Sequence, residues 1–237
     1  MQTNRSSSLK ESILRIMKGG VSFSPEDFYA LKNLSLSIPC GSTLGIIGSN
    51  GSGKSTLLKV ISGVLSPSQG HISVNGTLSS LIELGVGFDP ELTAVENIFL
   101  HGSLYKRSAS ETAKRLNHII DFAELREFKD QPIKHFSSGM VARLGFSAAI
   151  DINPDILVVD EILAVGDERF QQKCNQVFED YKASGKTIIM VSHDLELIRK
   201  HCQTVALLSC GELIFEGAAD EALQIYRSGN YHTRLSA

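Results

Sequence analysis

Gly48-Ser49-Asn50-Gly51-Ser52-Gly53-Lys54-Ser55-Thr56 follows the apolar run Thr43-Leu44-Gly45-Ile46-Ile47 and opens a helical pattern with Leu57, Leu58, Val60 and Ile61 on its apolar side. Strand, glycine loop and helix in that order are the context a phosphate-binding P-loop requires. Glycines let backbone N–H groups converge on an anion without obstruction by Cβ, and the helix N-terminus adds its positive dipole end at the same point. Lys54 is placed to reach β- and γ-phosphates, and the Ser55 hydroxyl to hold a bridging Mg2+. A glycine-rich turn with no ligand would not need Gly48, Gly53, Lys54 and Ser55 at these fixed intervals.

Two further strands fit one sheet with this loop. Ile156-Leu157-Val158-Val159 ends in Asp160-Glu161, and Thr187-Ile188-Ile189-Met190-Val191 runs through Ser192 to His193. Near-continuous apolar runs are the mark of parallel strands covered on both faces. Ligands bind beyond the carboxyl ends of such strands, so the P-loop, Asp160-Glu161 and His193 are expected at one edge. Asp160 then matches the carboxylate that orders a magnesium shell, generally through water. Glu161 is placed to take a proton from attacking water, a role worth about 10²- to 10⁴-fold in rate. His193, at the tip of a buried strand, is a candidate for contact with a γ-phosphate. Phe136-Ser137-Ser138-Gly139-Met140 precedes the helical run Val141 to Ile150 and offers a second phosphate site at a helix N-terminus. Alone that signal is weak. Two phosphate-binding helix starts separated by a helical region point to a composite site in which two copies pair head to tail.

The rest of the chain supports one large α/β domain. Its 237 residues can bury a good core. A net charge of −3 gives no electrostatic footprint for nucleic acid, so none is expected as a partner. Cys40, Cys174, Cys202 and Cys210 form no C-x-x-C pair, which argues against zinc or a disulfide framework. The start Met1-Gln2-Thr3-Asn4-Arg5 leads to no signal core, and no apolar run approaches the roughly 20 residues of a spanning helix.

Leu9, Ile13, Ile16 and Met17 recur at helical spacing, so a short amphipathic helix is expected within an N-terminal extension, 1–30. It packs on its own domain or on a membrane surface or partner; the spacing leaves both open. Leu34, Leu36 and Ile38 alternate with Ser35 and Ser37 and turn through Pro39-Cys40-Gly41, which reads as a hairpin with the strand before the P-loop. His71-Ile72-Ser73-Val74 before Asn75-Gly76 reads as another hairpin arm. Glu83-Leu84-Gly85-Val86-Gly87-Phe88 reads as a loop before a helix from about Thr93 to Leu104. Ser108 and Glu111 have capping-box spacing and start the next helix. Asp167 caps a helix through Tyr181, and Thr204–Ser209 with Leu213–Glu216 form a hairpin around Cys210-Gly211 before a last helix near 220–226.

Taken together, these residues resemble the nucleotide-binding subunit of ABC transporters over about residues 30–228. Phe136 to Met140 is similar to the family signature LSGGQ, with Ser138 and Met140 in place of a glycine and the glutamine. Leu163-Ala164-Val165-Gly166-Asp167 stands where the D-loop belongs and His193 where the switch histidine belongs. The resemblance implies a P-loop NTPase fold of the ABC type: a mixed β-sheet core, an antiparallel β-subdomain, and a helical subdomain at about 94–150 inserted in an ATPase domain at 31–228, followed by a tail at 229–237. It implies ATP with Mg2+ in a homodimer. Gly48 to Thr56, Asp160, Glu161 and His193 of one copy would face Ser137, Ser138 and Gly139 of the other.

Three segments closely resemble exporters of bacterial surface polysaccharide, including O-antigen, capsule and teichoic acid. They are Leu81 to Leu92, Ser137 to Met140, and Val165-Gly166-Asp167 with Phe170 to Cys174. The implied role is a peripheral motor on the cytoplasmic face of the cytoplasmic membrane, driving a polytopic membrane subunit that moves lipid-linked glycan outward. The sequence departs from the family pattern in places. Glu83 is the nearest polar residue to the expected Q-loop glutamine, and Phe23, Phe28 or Tyr29 stands in for the adenine-stacking aromatic unless the N-terminus is incomplete. Without a further carbohydrate-binding domain after residue 237, cargo selection is expected to lie elsewhere. The alternatives are a soluble ABC-type clamp not involved in transport, a small-acceptor P-loop kinase and a non-hydrolysing binding module.

Overall fold

The computed structural model describes residues 29–81, 85, 87–160 and 166–229. The expected helix at Leu9–Met17, Phe23, Phe28, Glu83, Glu161, Leu163-Ala164-Val165 and the tail from 230 onward lie outside them.

Among the described residues, six strands form one mixed sheet in the order β2-β3-β4-β1-β5-β6. They are β1 (Thr43–Gly48), β2 (Leu78–Ser80), β3 (Ile156–Asp160), β4 (Thr187–Val191), β5 (Thr204–Ser209) and β6 (Glu212–Ala218). All neighbouring pairs are parallel except β5–β6, which is the hairpin expected around Cys210-Gly211. The helices are α1 (Lys54–Ile61), α2 (Ala94–Leu104), α3 (Ala109–Ala123), α4 (Ser138–Asp151), α5 (Glu168–Ala183), α6 (Leu195–His201) and α7 (Ala219–Ser228). None of them is long and apolar enough to cross a membrane.

The period of two along each strand sorts the core into two layers. Leu44, Ile46, Val158, Ile189, Val191, Ala206 and Leu208 meet Leu57 and Leu58 of α1 on one face. On the other, Leu157, Val159 and Ile188 pack on Phe146 of α4 and Phe170, Cys174 and Phe178 of α5. Beside them, Ile47, Met190, Val205 and Leu207 pack on α6 and α7 through Ile198, Ala222 and Leu223. A fourth apolar cluster joins α2, α3 and α4 through Ile98, Ile119, Ile120 and Leu144. The Cys174 and Cys202 thiols are buried, and desolvation pushes each up to about 12.

Local capping chemistry sets where the helices begin. Thr93 and Ser108 accept the amides of Glu96 and Glu111, whose carboxylates return to the cap residues, so α2 and α3 both open on full capping boxes. Asp167 accepts the Phe170 amide at 2.9 Å and starts α5.

The antiparallel β-subdomain expected from two hairpins is not a ladder among the described residues. Leu34, Leu36 and Ile38 are half-buried against the α1 face while Ser35 and Ser37 are exposed, as the alternation demands, but no strand pairing accompanies it. Alternation fixes which face is buried and leaves the hydrogen-bond partner unspecified. After Gly76 the chain is captured by Asp155, whose carboxylate accepts the Thr77 amide and hydroxyl at 2.8 Å each. That contact registers Leu78 opposite Ile156 as a parallel strand, where an Asn-Gly hairpin would have returned the chain on His71–Val74.

Candidate functional site

Val191, the last residue of β4, is in register with both Ile46 of β1 and Asp160 of β3. β3 and β4 therefore end level and β1 runs two residues farther in the same direction, so the segments that follow all three share one edge. The P-loop leaves β1 there, Asp160 closes β3, and His193 lies just beyond β4. Lys54, Ser55, Thr56, Asn50, Gly51, Gly53, Asp160 and His193 line one open cleft of about 320 Å3, together with Ala30 and Val191.

The loop geometry depends on glycine at its first position. Gly48 has φ +153, and a Cβ on it would fall 2.3 Å from the Leu208 carbonyl and 2.6 Å from Ser52 Oγ. Gly53 enters α1 at φ 104, ψ 1 with no side-chain cap, so the first amides of the helix are left for a ligand. Lys54 is buried, and its Nζ donates to the carbonyls of Gly48 at 2.8 Å and Ser49 at 3.0 Å. An ammonium has three donors, so two of them shape the loop and a third is left at the cleft that Lys54 lines. Burial lowers the Lys54 pKa while Asp160 raises it. Burial raises the Asp160 pKa, and the nearby Lys54 and then His193 pull it back. Both groups are poised by the same low-dielectric setting, and each favours the charge of the other.

Ser192 and Asp194 brace the His193 turn. Ser192 Oγ accepts the Asp194 amide at 3.0 Å, and the Asp194 carboxylate accepts the amides of Glu196 and Leu197 at 2.9 and 3.2 Å as the cap of α6.

Ser137, Ser138 and Gly139 are in another place. Ser137 caps α4 by accepting the Met140 amide at 3.2 Å, and both serines are exposed. A Cβ on Gly139 would meet nothing nearer than Ser137 Oγ at 3.9 Å, so the space over this helix start is open. None of the three lines the cleft. One copy therefore brings together the P-loop, Asp160 and His193 and leaves the second helix N-terminus facing outward.

Sequence reasoning missed Ala30. The Lys32 amide donates to the Gly211 carbonyl at 2.7 Å and holds this segment against the P-loop, where a Cβ on Gly53 would lie 2.7 Å from the Ala30 carbonyl. Ala30 contributes backbone, which no residue-type motif records. Tyr29, one of three candidates for stacking on a base, is 39% exposed beside it.

The comparisons with known proteins agree with this geometry. The ABC transporter family model matches residues 31–164. The chain is 42% identical over 200 residues to an O-antigen export system ATP-binding protein of Klebsiella pneumoniae, covering 84% of this chain and 81% of that one. It is 44% identical to a similarly named protein of Myxococcus xanthus, covering 84% of this chain and spanning 45% of the relative's length. It is also 44% identical to a teichoic acids export ATP-binding protein of Listeria monocytogenes, covering 85% of this chain and 60% of that one. Among solved structures, a dimeric ATP-binding cassette in a post-hydrolysis state bound to ADP and phosphate matches with a TM-score of 0.71 at 26% identity, covering 84% of this chain and 94% of that one. Fold, loop and relatives agree: the chain belongs to the ABC transporter family.

Proposed function

We propose that this chain is the ATP-hydrolysing motor subunit of an exporter that moves lipid-linked surface polysaccharide, of the O-antigen class, across the cytoplasmic membrane. The observation that carries the reading is the split between the two phosphate-binding helix starts. The P-loop, Asp160 and His193 share a cleft, whereas Ser137, Ser138 and Gly139 lie outside it. A head-to-tail homodimer supplies the missing half to each copy. The relatives named for export of O-antigen and teichoic acid support the cargo class.

The residues of the cleft fit Mg-ATP. Gly51, Gly53 and the uncapped start of α1 present amides to phosphate oxygens, and Lys54 adds its free donor. The Ser55 hydroxyl and Asp160 carboxylate are oxygen donors of the kind a hard divalent cation takes, and they line the same cleft. Mg2+, when bound there, would supply positive charge against the phosphates. Glu161 takes the proton from the attacking water, and His193 holds the γ-phosphate from the strand beside it. Ser137, Ser138 and Gly139 of the second copy close over that phosphate and exclude bulk water. ATP thus favours the closed pair and hydrolysis releases it, a two-state element biased by its ligand. The surface around residues 83–105 passes this motion to a polytopic membrane subunit, which holds the chain peripherally on the cytoplasmic face and handles the glycan.

The test is in cells. With Glu161→Gln as the expressed gene copy and no redundant exporter, surface glycan is lost and lipid-linked glycan accumulates at the inner side of the cytoplasmic membrane. Normal surface glycan in that strain contradicts an export role.

A further inference from the structure

Three helices meet at one point between the helix that begins with Ser138 and the helix that follows Asp160, and each contributes one phenylalanine and one charge. From the end of α3 come Phe122 and Glu124, from α4 Arg143 and Phe146, and from α5 Phe170 and Lys173. The i, i+3 spacing on α4 and α5 puts both residues of each pair on one face. The rings form a triangle with centroids 6.1 Å (Phe122–Phe146), 5.8 Å (Phe122–Phe170) and 5.8 Å (Phe146–Phe170) apart. Above it, the Glu124 carboxylate accepts from Lys173 Nζ at 2.5 Å through one oxygen and from Arg143 at 3.4 Å through the other. Lys173 also lies 5.6 Å over the Phe122 ring.

Glu124 holds this place at a conformational cost. It is the C-cap of α3 at φ 60, ψ 40, a left-handed conformation that glycine or asparagine adopts more easily. A cap alone would not call for a carboxylate there. The hydrogen bond from Lys173 holds its carboxyl below the usual range against the opposing cost of desolvation, with Lys173, Arg169 and Arg143 adding their charges. All three charged side chains are mostly covered, with 29% of Glu124, 30% of Lys173 and 20% of Arg143 left exposed, so solvent screens them less than it would a surface pair.

Position gives the cluster its consequence. Arg143 lies less than two turns after Ser137, and Lys173 less than two turns after the Asp167 cap that follows Asp160 through residues 161–165. We infer that Glu124 is a positioning residue: it clasps α4 to α5, so the outward-facing Ser137–Gly139 start moves with the Asp167-capped start of α5 in the same copy. This rests on the two-copy reading above. In a pair, each copy would then present its second helix start at an angle set by its own hydrolytic half. Losing the clasp would weaken ATP-driven pairing and leave nucleotide binding by a single copy unchanged.

The experiment uses the full chain in a Glu161→Gln background that retains ATP, with pairing measured by sedimentation. Glu124→Gly and Glu124→Asn suit the backbone at that position and remove the charge. The expected result is an ATP-dependent dimer dissociation constant raised roughly tenfold, with an unchanged single-copy ATP affinity and an unfolding midpoint no lower than the parent's. Adding Lys173→Met to Glu124→Gly should weaken pairing no further, because both act through one contact. A dimer of parental strength in both Glu124 variants overturns the clasp and leaves the two-copy reading intact. An equal loss of single-copy ATP affinity also overturns it, since the effect would then lie at the P-loop. A Glu161→Gln parent that stays monomeric with ATP overturns the two-copy reading, and the clasp with it.

Discussion

The amide of Gly211 donates to the carbonyl of Ser52 at 3.0 Å, so the β5–β6 turn holds the middle of the P-loop from outside its own strand and helix. The same glycine accepts from Lys32, which brings Ala30 to the cleft. A Cβ at Gly211 would fall 2.8 Å from the Ala30 carbonyl, at φ +83. Gly211→Ala is therefore expected to lower stability by about 1–3 kcal/mol and to weaken nucleotide binding severalfold. Gly185→Ala is the control: it carries a similar φ of +68 but has nothing within 4 Å. Thermal unfolding and titration with a fluorescent ATP analogue separate the two, and equal nucleotide affinity in both variants would contradict the brace.

Lys54 is a buried cation, and the desolvation that opposes its charge offsets its two hydrogen bonds to the loop and its attraction to Asp160, so its removal should cost the empty fold little. Lys54→Met is expected to keep an unfolding midpoint within a few degrees of wild type (about 1 kcal/mol or less). The upward shift of that midpoint by Mg-ATP should disappear. A retained shift would contradict the assignment of Lys54 to the phosphates.

Asp151 anchors the turn between α2 and α3 to the end of α4. Its buried carboxylate accepts from Arg107 at 2.6 Å and from Arg115 Nε at 2.8 Å, and its carbonyl accepts from Arg107 at 2.8 Å. Asp151→Asn leaves two guanidinium groups facing an uncharged partner and is expected to destabilise by about 3 kcal/mol. Arg115→Ala, whose side chain is 47% exposed, should cost about 1 kcal/mol or less. Urea unfolding of both variants checks the ratio.

His101 is buried between Phe88 and Tyr105, and desolvation followed by the charge of Arg107 pushes its pKa down to about 4. The unfolded chain takes up this proton near pH 6.5 and the folded one near 4, so stability falls as pH drops through that window and is flat above it. The loss amounts to about 3 kcal/mol. His201, lowered mainly by burial, adds in the same direction. His101→Phe should flatten much of the slope of urea stability between pH 4 and 6.5; an unchanged slope contradicts the burial account.

Much of this was legible in the sequence because the relevant signals are local. Gly48 to Thr56 specifies a loop by spacing alone, and Ser108 with Glu111 marks a helix start within four residues. Apolar runs identified β3 and β4, and a shared edge for Asp160 and His193 followed from parallel strands. The alternation at Leu34–Ile38 indicated the buried face correctly, but no ladder accompanies it among the described residues, since side-chain period does not choose a backbone partner. Ala30 reaches the cleft through its carbonyl, and Glu124, Arg143 and Lys173 lie far apart in the chain. Neither leaves a pattern in residue types, because tertiary packing alone brings the groups together.

The central claim is that one copy holds half of a hydrolytic site, and the most direct measurement is ATP turnover per molecule of purified chain across a wide dilution series. The account predicts turnover that falls at dilute concentrations and rises to a plateau as pairs form, with Glu161→Gln inactive throughout while still binding ATP. Constant turnover per molecule at concentrations where sedimentation finds only monomer would contradict it.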